Sequence, residues 1–465
     1  GPSAALALGL SGQQSEGDFE FSEPRGLRTR GNNDGRQLGG YLSGRWQPSD
    51  AWRLQLAELV SWTERGAPGP SEFPERFADA RTEDTRLASS LRALQLEPLA
   101  LGELLLLSEL QLGSLWGTSA YHNPHALLGG GSYQSETDEH AFDAVLQLDA
   151  LYGASATRLL LELRHEWLAR DLDGTESRFD RLVLAGTLVE SLSFLRNEAL
   201  RLDFGGRVEA ALGDDAVVVP RASLSLAPLP ELGLRLALGR AFRLPSFDEL
   251  YLRTEMLRGN PELDAESVTQ VELELELEPH PTLDFSLSLF HHDYTSLIQF
   301  VPTTALYYQA RELQGAQGLG LELAASWQPL PELGLSADYA FVDARFEAPP
   351  QDPLPGRPRH SLHGRIASQR GDFEAELDGR WVSERPLDLF GNRAAPAAVW
   401  LDAALRLQLW PWPSLAAAPS PAGPEGRWAL ALSAKNLLDV DDAVDALQYP
   451  LPGRSFYASL CWSLE

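Results

Sequence analysis

The feature that most limits what this chain can become is an alternation of apolar and polar residues that returns from one end to the other. Its plainest instance has Val271, Leu273, Leu275 and Leu277 taking turns with Glu272, Glu274, Glu276 and Glu278. Successive side chains of a β-strand point to opposite faces, so this run has one aliphatic face and one carboxylate face. A single strand of this kind suits a soluble sheet as well as a membrane. Recurrence decides between them. The same period-two pattern predicts strands near 3–22, 36–47, 52–63, 84–97, 101–117, 140–153, 156–169, 178–193, 198–211 and 215–228. It continues at 232–243, 265–279, 282–299, 310–328, 332–346, 358–369, 372–385, 397–411, 426–438 and 453–464, about twenty strands in all. Leucine favours helices on propensity alone. Yet Leu401, Ala403, Leu405, Leu407 and Leu409 alternate with Asp402, Ala404, Arg406 and Gln408, which a helix would scatter around its circumference.

The connections are of two kinds. Short ones carry proline, as in Gln47-Pro48-Ser49-Asp50, Glu97-Pro98-Leu99 and Glu278-Pro279-His280-Pro281. Long polar ones are expected at 64–82, 118–139, 244–264 and 347–357. Along an antiparallel meander this places the tight turns on one rim and the long loops on the other, the asymmetry of transmembrane β-barrels. The stretch 411–426, with Pro411, Pro413, Pro419, Pro421 and Pro424, reads as a proline-rich insertion on the short side. Strands of this length cover the ~9–11 residues that cross a bilayer at a tilt. Tryptophans such as Trp46, Trp62, Trp116, Trp327, Trp381 and Trp400 sit near strand ends, as in the aromatic belts of membrane interfaces. A propeller would repeat a blade every ~40–50 residues, and no such period is present. The expected fold is all-β: an antiparallel transmembrane β-barrel filling residues 1–465.

Composition narrows the function. The 465 residues carry a formal charge of −28, and Lys435 is the single lysine, so no basic patch offers itself to nucleic acid. Cys461 is alone, which excludes a disulfide framework and a cysteine-based metal site. No apolar run approaches the ~18 residues of a membrane helix. Gly1 opens directly into an alternating segment without a signal-peptide pattern, so the chain is expected to begin within the pattern, after processing or truncation.

Several segments together resemble the barrel of a TonB-dependent outer-membrane receptor. They are Phe242-Arg243-Leu244-Pro245 through Tyr251, Gly259-Asn260-Pro261-Glu262-Leu263 with Glu266-Ser267, and Phe290-His291-His292-Asp293-Tyr294 to Leu297-Ile298. They continue in Gly315 through Glu322, in Lys435-Asn436-Leu437-Leu438-Asp439 and in Tyr449 through Tyr457. Gly17-Asp18-Phe19-Glu20-Phe21 and Arg30-Gly31-Asn32-Asn33-Asp34 are similar less specifically. The resemblance implies a barrel of 22 strands in the intact family, outer-membrane location in a Gram-negative cell, and uptake of a scarce nutrient such as a ferric siderophore or cobalamin. It also implies a TonB box and a plug domain, neither of which matches any segment here. The opening segment resembles the family's third strand, so the first two strands are expected to be absent. The TonB system would act only through that plug; the other partners implied are outer-membrane lipid and a small-molecule ligand such as a metal chelate. The chain ends Trp462-Ser463-Leu464-Glu465 rather than in the aromatic residue common to such barrels. A plugless passive pore and a structural barrel acting through its loops are the alternatives. Closure is expected by antiparallel pairing of 3–11 with 453–464, since edge groups cannot be left facing lipid.

No catalytic constellation stands out. Ser and His occur without a spacing that nominates a triad, and His291 and His292, adjacent on a strand, face opposite sides and cannot chelate one ion together. An enzyme is not expected, and neither a cofactor nor a metal site. Haem receptors of the family carry a histidine between the halves of the 242–263 pattern; none lies between Arg243 and Pro261. The groups expected to meet a ligand are Tyr121, His122, His125 and Tyr133, flanking a loop with Gly129, Gly130 and Gly131, and Arg243, Tyr251, Arg253 and Asn260 within that pattern. Glu272, Glu274, Glu276 and Glu322 are expected to face the lumen, where an empty barrel would favour cations.

Overall fold

Alternation becomes architecture through backbone pairing. A computed structural model describes residues 3–23, 26–68, 76–125, 132–172, 174–195, 199–213, 215–254, 257–303, 308–347, 352–389, 393–409, 426–440 and 451–464. Within them, long strands run β1 (Ser3–Ser15), β2 (Gly35–Ser49), β3 (Trp52–Gly66), β4 (Arg81–Gln95), β5 (Leu104–Asn123), β6 (Tyr133–Tyr152) and β7 (Ser155–Leu172). They continue as β8 (Thr175–Phe194), β9 (Leu200–Ala211), β10 (Val217–Leu229), β11 (Leu232–Arg243), β12 (Glu266–His280), β13 (Leu283–Pro302) and β14 (Tyr308–Leu330). The last are β15 (Leu333–Phe346), β16 (His360–Arg370), β17 (Phe373–Val382), β18 (Ala398–Leu409), β19 (Gly426–Lys435) and β20 (Ser455–Leu464). Each pairs antiparallel with the next in chain order. The short pieces Leu99–Leu101 and Leu257–Arg258 bring this one sheet to 22 strands. The proline-rich 411–426 stretch falls almost wholly outside the described residues, as do Gly129, Gly130 and Gly131.

Tight turns at 49–52, 152–155, 229–232, 280–283, 330–333 and 370–373 share one rim. Gly153 (φ 58°) and Gly371 (φ 59°) supply the left-handed residue that two of them require. The other rim carries the long loops, together with a tight turn between Leu172 and Thr175. Pro98 and Pro124 lie at opposite ends of β5, on opposite rims. Two expected bounds need correction: the strand placed at 3–22 ends at Ser15, and Phe19–Glu23 pairs instead with Gly26–Arg30 in a separate two-stranded sheet. Of the loop placed at 118–139, most is strand: the β5–β6 ladder continues from Leu104↔Tyr152 to Asn123↔Tyr133. Hydrophobic periodicity stops there because Thr118, Ser119, Ser135, Glu136, Thr137 and Asp138 put polar groups on both faces, while pairing continues regardless. At ~3.4 Å per residue these 20-residue strands stand well above the ~30 Å apolar band.

The two faces of the wall are chemically distinct. Val271, Leu273, Leu405 and Leu407 are 40–45% exposed, within an outer face that leaves many large hydrophobics uncovered. A soluble protein rarely exposes so much contiguous apolar surface. On the inner face, directly opposed pairs carry charge: Arg235–Glu274 at 3.2 Å, Arg158–Asp149 at 2.7 Å and Arg406–Glu374 at 4.0 Å. His363 bridges Asp338 and Asp378 there. His291 lies opposite Val271 on the outer face, whereas His292 stacks on Phe290 inside, with ring centroids 4.8 Å apart. Trp116, His140 and Trp167 form an edge-to-face row on the outside near the long-loop rim. Among the described residues no helix is long and apolar enough to cross a membrane, which says nothing of a strand-built barrel.

The expected closure is absent. Among the described residues β1 and β20 share no ladder, and the sheet has a seam. Closing a barrel requires strand number, stagger and tilt to be mutually consistent.

Candidate functional site

The long-loop rim is organised by the segment that follows β11. Arg243 ends that strand, Pro245 stops it, and Ser246 caps a short helix, α1 (Phe247–Tyr251). Ser246 and Glu249 form a capping box: the Glu249 N–H donates to Ser246 Oγ at 3.2 Å, and the Ser246 N–H donates to Glu249 Oε2 at 2.8 Å. Arg243 grips Glu249 through both terminal nitrogens, at 2.7 and 2.9 Å, and donates its Nε to Glu266 at 2.8 Å. Burial alone would push the Glu249 carboxyl up. The donors from Arg243 and Ser246 outweigh it and hold the group below the usual carboxylate range.

This loop does not stand over its own strand. Because β9 and β10 end at Ala211 and Val217, the wall is low there, and the loop reaches across to β6, β7 and β8. Arg170, its side chain only 8% exposed, donates to Asp248 Oδ1 at 2.7 Å, to the Tyr251 carbonyl at 3.3 Å and to Thr137 Oγ1 at 3.2 Å. Arg181 donates to the Pro245 carbonyl at 2.8 Å, is anchored by Glu166 at 2.6 Å, and sits 5.0 Å from the Phe247 ring centre. Tyr251 lies flat on Phe179, centroids 3.8 Å apart and planes 5° from parallel. The Tyr133 hydroxyl donates to the Arg253 carbonyl, and the Tyr121 ring is 5.8 Å from that of Tyr133.

The returning half is fixed from below. The Asn260 N–H donates to the Glu249 carbonyl at 2.8 Å, and Asn260 Oδ1 accepts from the Glu262 N–H at 3.1 Å. Leu263, Ile298 and Ala310 form a small buried cluster against which Leu250 and Phe300 pack. Gly259 passes so close to α1 that a Cβ there would lie 2.5 Å from Leu250 backbone carbon and Tyr251 nitrogen.

The structure thus brings Tyr121, Tyr133, Arg243, Tyr251, Arg253 and Asn260 into one network, in which Tyr133, Arg243, Tyr251, Arg253 and Asn260 make contacts that hold the loop. His122 is exposed at the end of β5, opposite Arg81 and Gln134. His125 Nε2 lies 2.9 Å from Asp79 Oδ2, joining two neighbouring loops. Beside them Arg81 holds Asp34 and Glu64 at 2.7 and 3.0 Å, and Asn32 Nδ2 donates to the carbonyls of Phe77 and Ala80. Sequence reasoning missed Arg170, Arg181 and Phe179, whose roles come from contacts with a loop far along the chain. It also missed α1, although Ser246-x-x-Glu249 is a readable capping box. Among the described residues no group of three or more His, Cys, Asp or Glu side chains is placed to hold a metal ion.

An antiparallel sheet with an apolar outside, a charged inside and loops locked together at one rim defines a membrane β-barrel of the outer-membrane type. The chain belongs to the family described as TonB dependent receptor-like, beta-barrel, which matches residues 8–437. The fold is shared with the copper transporter OprC, at a TM-score of 0.77 and 15% identity over 98% of this chain and 75% of that one. It is shared also with the ferric enterobactin receptor PfeA from Pseudomonas aeruginosa, at 0.70 and 16% over 98% and 75%. BauA, the ferric preacinetobactin receptor from Acinetobacter baumannii, gives 0.65 and 11% over 99% and 79%. No curated protein matches at the level of sequence. The family and these neighbours are receptors and transporters, and the family is one of outer-membrane barrels.

Proposed function

We propose that this chain is the transport barrel of an outer-membrane receptor that takes up a scarce nutrient as a small chelate, in the class of ferric siderophores or cobalamin. The observation that carries this reading is the family match across residues 8–437, joined to a rim whose loops are tied into a formed entrance. In this reading Arg243, Tyr251, Arg253, Asn260 and Tyr133 shape the entrance by fixing the 244–264 loop. Exposed His122, with Tyr121 and His125 beside it, is left to meet the ligand. The TonB system acts through a plug domain rather than on the barrel wall, and the barrel itself carries out no catalysis and needs no cofactor.

Uptake in the parent organism tests this. Deleting the gene should abolish accumulation of one radiolabelled ligand among ferric siderophores, cobalamin and copper, and plasmid-borne protein should restore it only in TonB-positive cells. Uptake that persists without TonB, or no ligand affected by the deletion, would overturn the reading.

A further inference from the structure

Among the described residues the outer face is largely apolar at mid-height, and one place departs from this without a full set of partners. Along the paired row Leu8, Leu42, Glu58, Ser89, Ser114 and Phe142, a carboxylate and two hydroxyls occupy the level where aliphatic side chains stand elsewhere. The register is not in doubt. Leu56 and Val60 flank Glu58 on its own face and are 39% and 48% exposed, as are Leu87 and Leu91 beside Ser89 at 40% and 42%. A Cβ on Gly40 would lie 3.2 Å from both Leu10 and Val60, which fixes that face as shared across β1, β2 and β3. Trp52 and Trp62 bracket Glu58 along β3, so it lies within the apolar band rather than at its margin. The inner face is inverted to match. Tyr41, Leu59, Ala88 and Leu115 form an apolar row inside, with Leu59 56% exposed.

An ionisable group facing lipid is costly and normally has a partner. One Glu58 oxygen accepts the Ser89 hydroxyl, and the other has no partner among the described residues. Ser114, exposed one strand beyond Ser89, has a hydroxyl with no acceptor there either. An unmet acceptor and an unmet donor thus lie on one face, two strand spacings or ~10 Å apart, with Ser89 midway. A two-fold axis along the membrane normal sets every residue at the depth of its own copy and makes residue i meet j while j meets i.

We propose that the outer face of β3–β5 is a two-fold contact between two copies of this chain within the membrane. Ser114 of each copy donates to Glu58 of the other, and the axis passes beside Ser89. Gly40 and Gly44 on the outer face of β2 let the second wall approach closely.

The test uses the whole protein in native outer membranes, with Cys461→Ser removing the single native thiol. Under mild oxidation Ser89→Cys should form a covalent dimer at least about tenfold faster than Leu273→Cys, which faces lipid on the far side of the wall. Equal rates, or no dimer at position 89, would overturn the proposal. Because Ser89→Cys could disturb folding, Glu58→Leu supplies a second reading by native mass spectrometry in mild detergent. The dimer fraction should fall about tenfold from wild type; an unchanged fraction, or a wild type with no dimer, would refute the contact.

Discussion

Replacing Leu273 by arginine tests the assignment of faces. Leu273 lies in the row Leu224, Leu236, Leu273, Leu289 and Leu321, with the first four 38–44% exposed. Its side chain therefore meets the surroundings rather than a protein core, and the cost of arginine there measures the surroundings. In lipid, near the midplane, that cost is about 2–4 kcal/mol. The folded-to-unfolded ratio then falls by between about one and three powers of ten. The lumenal counterpart is Ser288→Arg, one position along β13 from Leu289 and facing Glu272, which accepts the Ser288 hydroxyl at 3.0 Å. Water and carboxylates surround that site, so its cost should stay within about 1 kcal/mol. Both variants can be titrated with denaturant in short-chain phosphocholine vesicles, following tryptophan fluorescence. Equal costs would mean that both faces see water, and the membrane assignment would fail.

The rim network yields three further expectations. Arg170→Ala removes two donors to the 244–264 loop, at Asp248 and Tyr251, and should cost about 2 kcal/mol locally, seen as faster amide exchange over 246–252; unchanged exchange would deny it the strapping role. Gly259→Ala forces a Cβ into α1 backbone and should expose the same loop to limited proteolysis, whereas wild-type resistance would show that the loop can shift to admit it. The Glu249 carboxyl is held below its ordinary range, so its contribution is full above that range, about pH 4.3, and is lost only as pH falls through the depressed value. Protection factors of α1 should therefore stay level from pH 7 to about 5 and decline at lower pH, and Glu249→Gln should flatten that decline; a loss beginning near neutrality would assign the titration to another group.

The wall was legible because each long strand repeats one local rule. β11 needed only Leu232, Leu234, Leu236 and Leu238 alternating with Gly233, Arg235 and Ala237, and the periodicity gave its ends to the residue. The rim was less legible because two different signals fail there. Around Ser135–Asp138 both faces are wet, so the alternation vanishes while the ladder persists. At Arg170 and Arg181 the chemistry is visible but its use is not, since the loop acceptors they hold lie more than sixty positions away. Of the expected ligand groups, those within the 242–263 pattern were found by resemblance, and that resemblance could not separate residues that shape an entrance from those that touch what enters it.

Closure was illegible for a different reason: no residue encodes it. The apolar outer side chains Leu6, Leu8 and Leu10 of β1, 69–83% exposed, would read the same in a closed wall. The direction of the edges still restricts what can cover them. β1 starts at the tight-turn rim, where Ser3 faces Gln47, and β20 ends there, where Leu464 faces Gly426. The two edges are therefore antiparallel to each other. Any polypeptide that satisfies both by antiparallel pairing must add an even number of strands, and the smallest such unit is a hairpin. A lone strand would pair correctly with one edge and run parallel to the other, with the slanted, slightly weaker bonds of parallel pairing. Backbone amides of β1 that point away from β2 should exchange as fast as a frayed strand while that edge is bare. Strong protection of those amides in native membranes would mean that something already pairs with them.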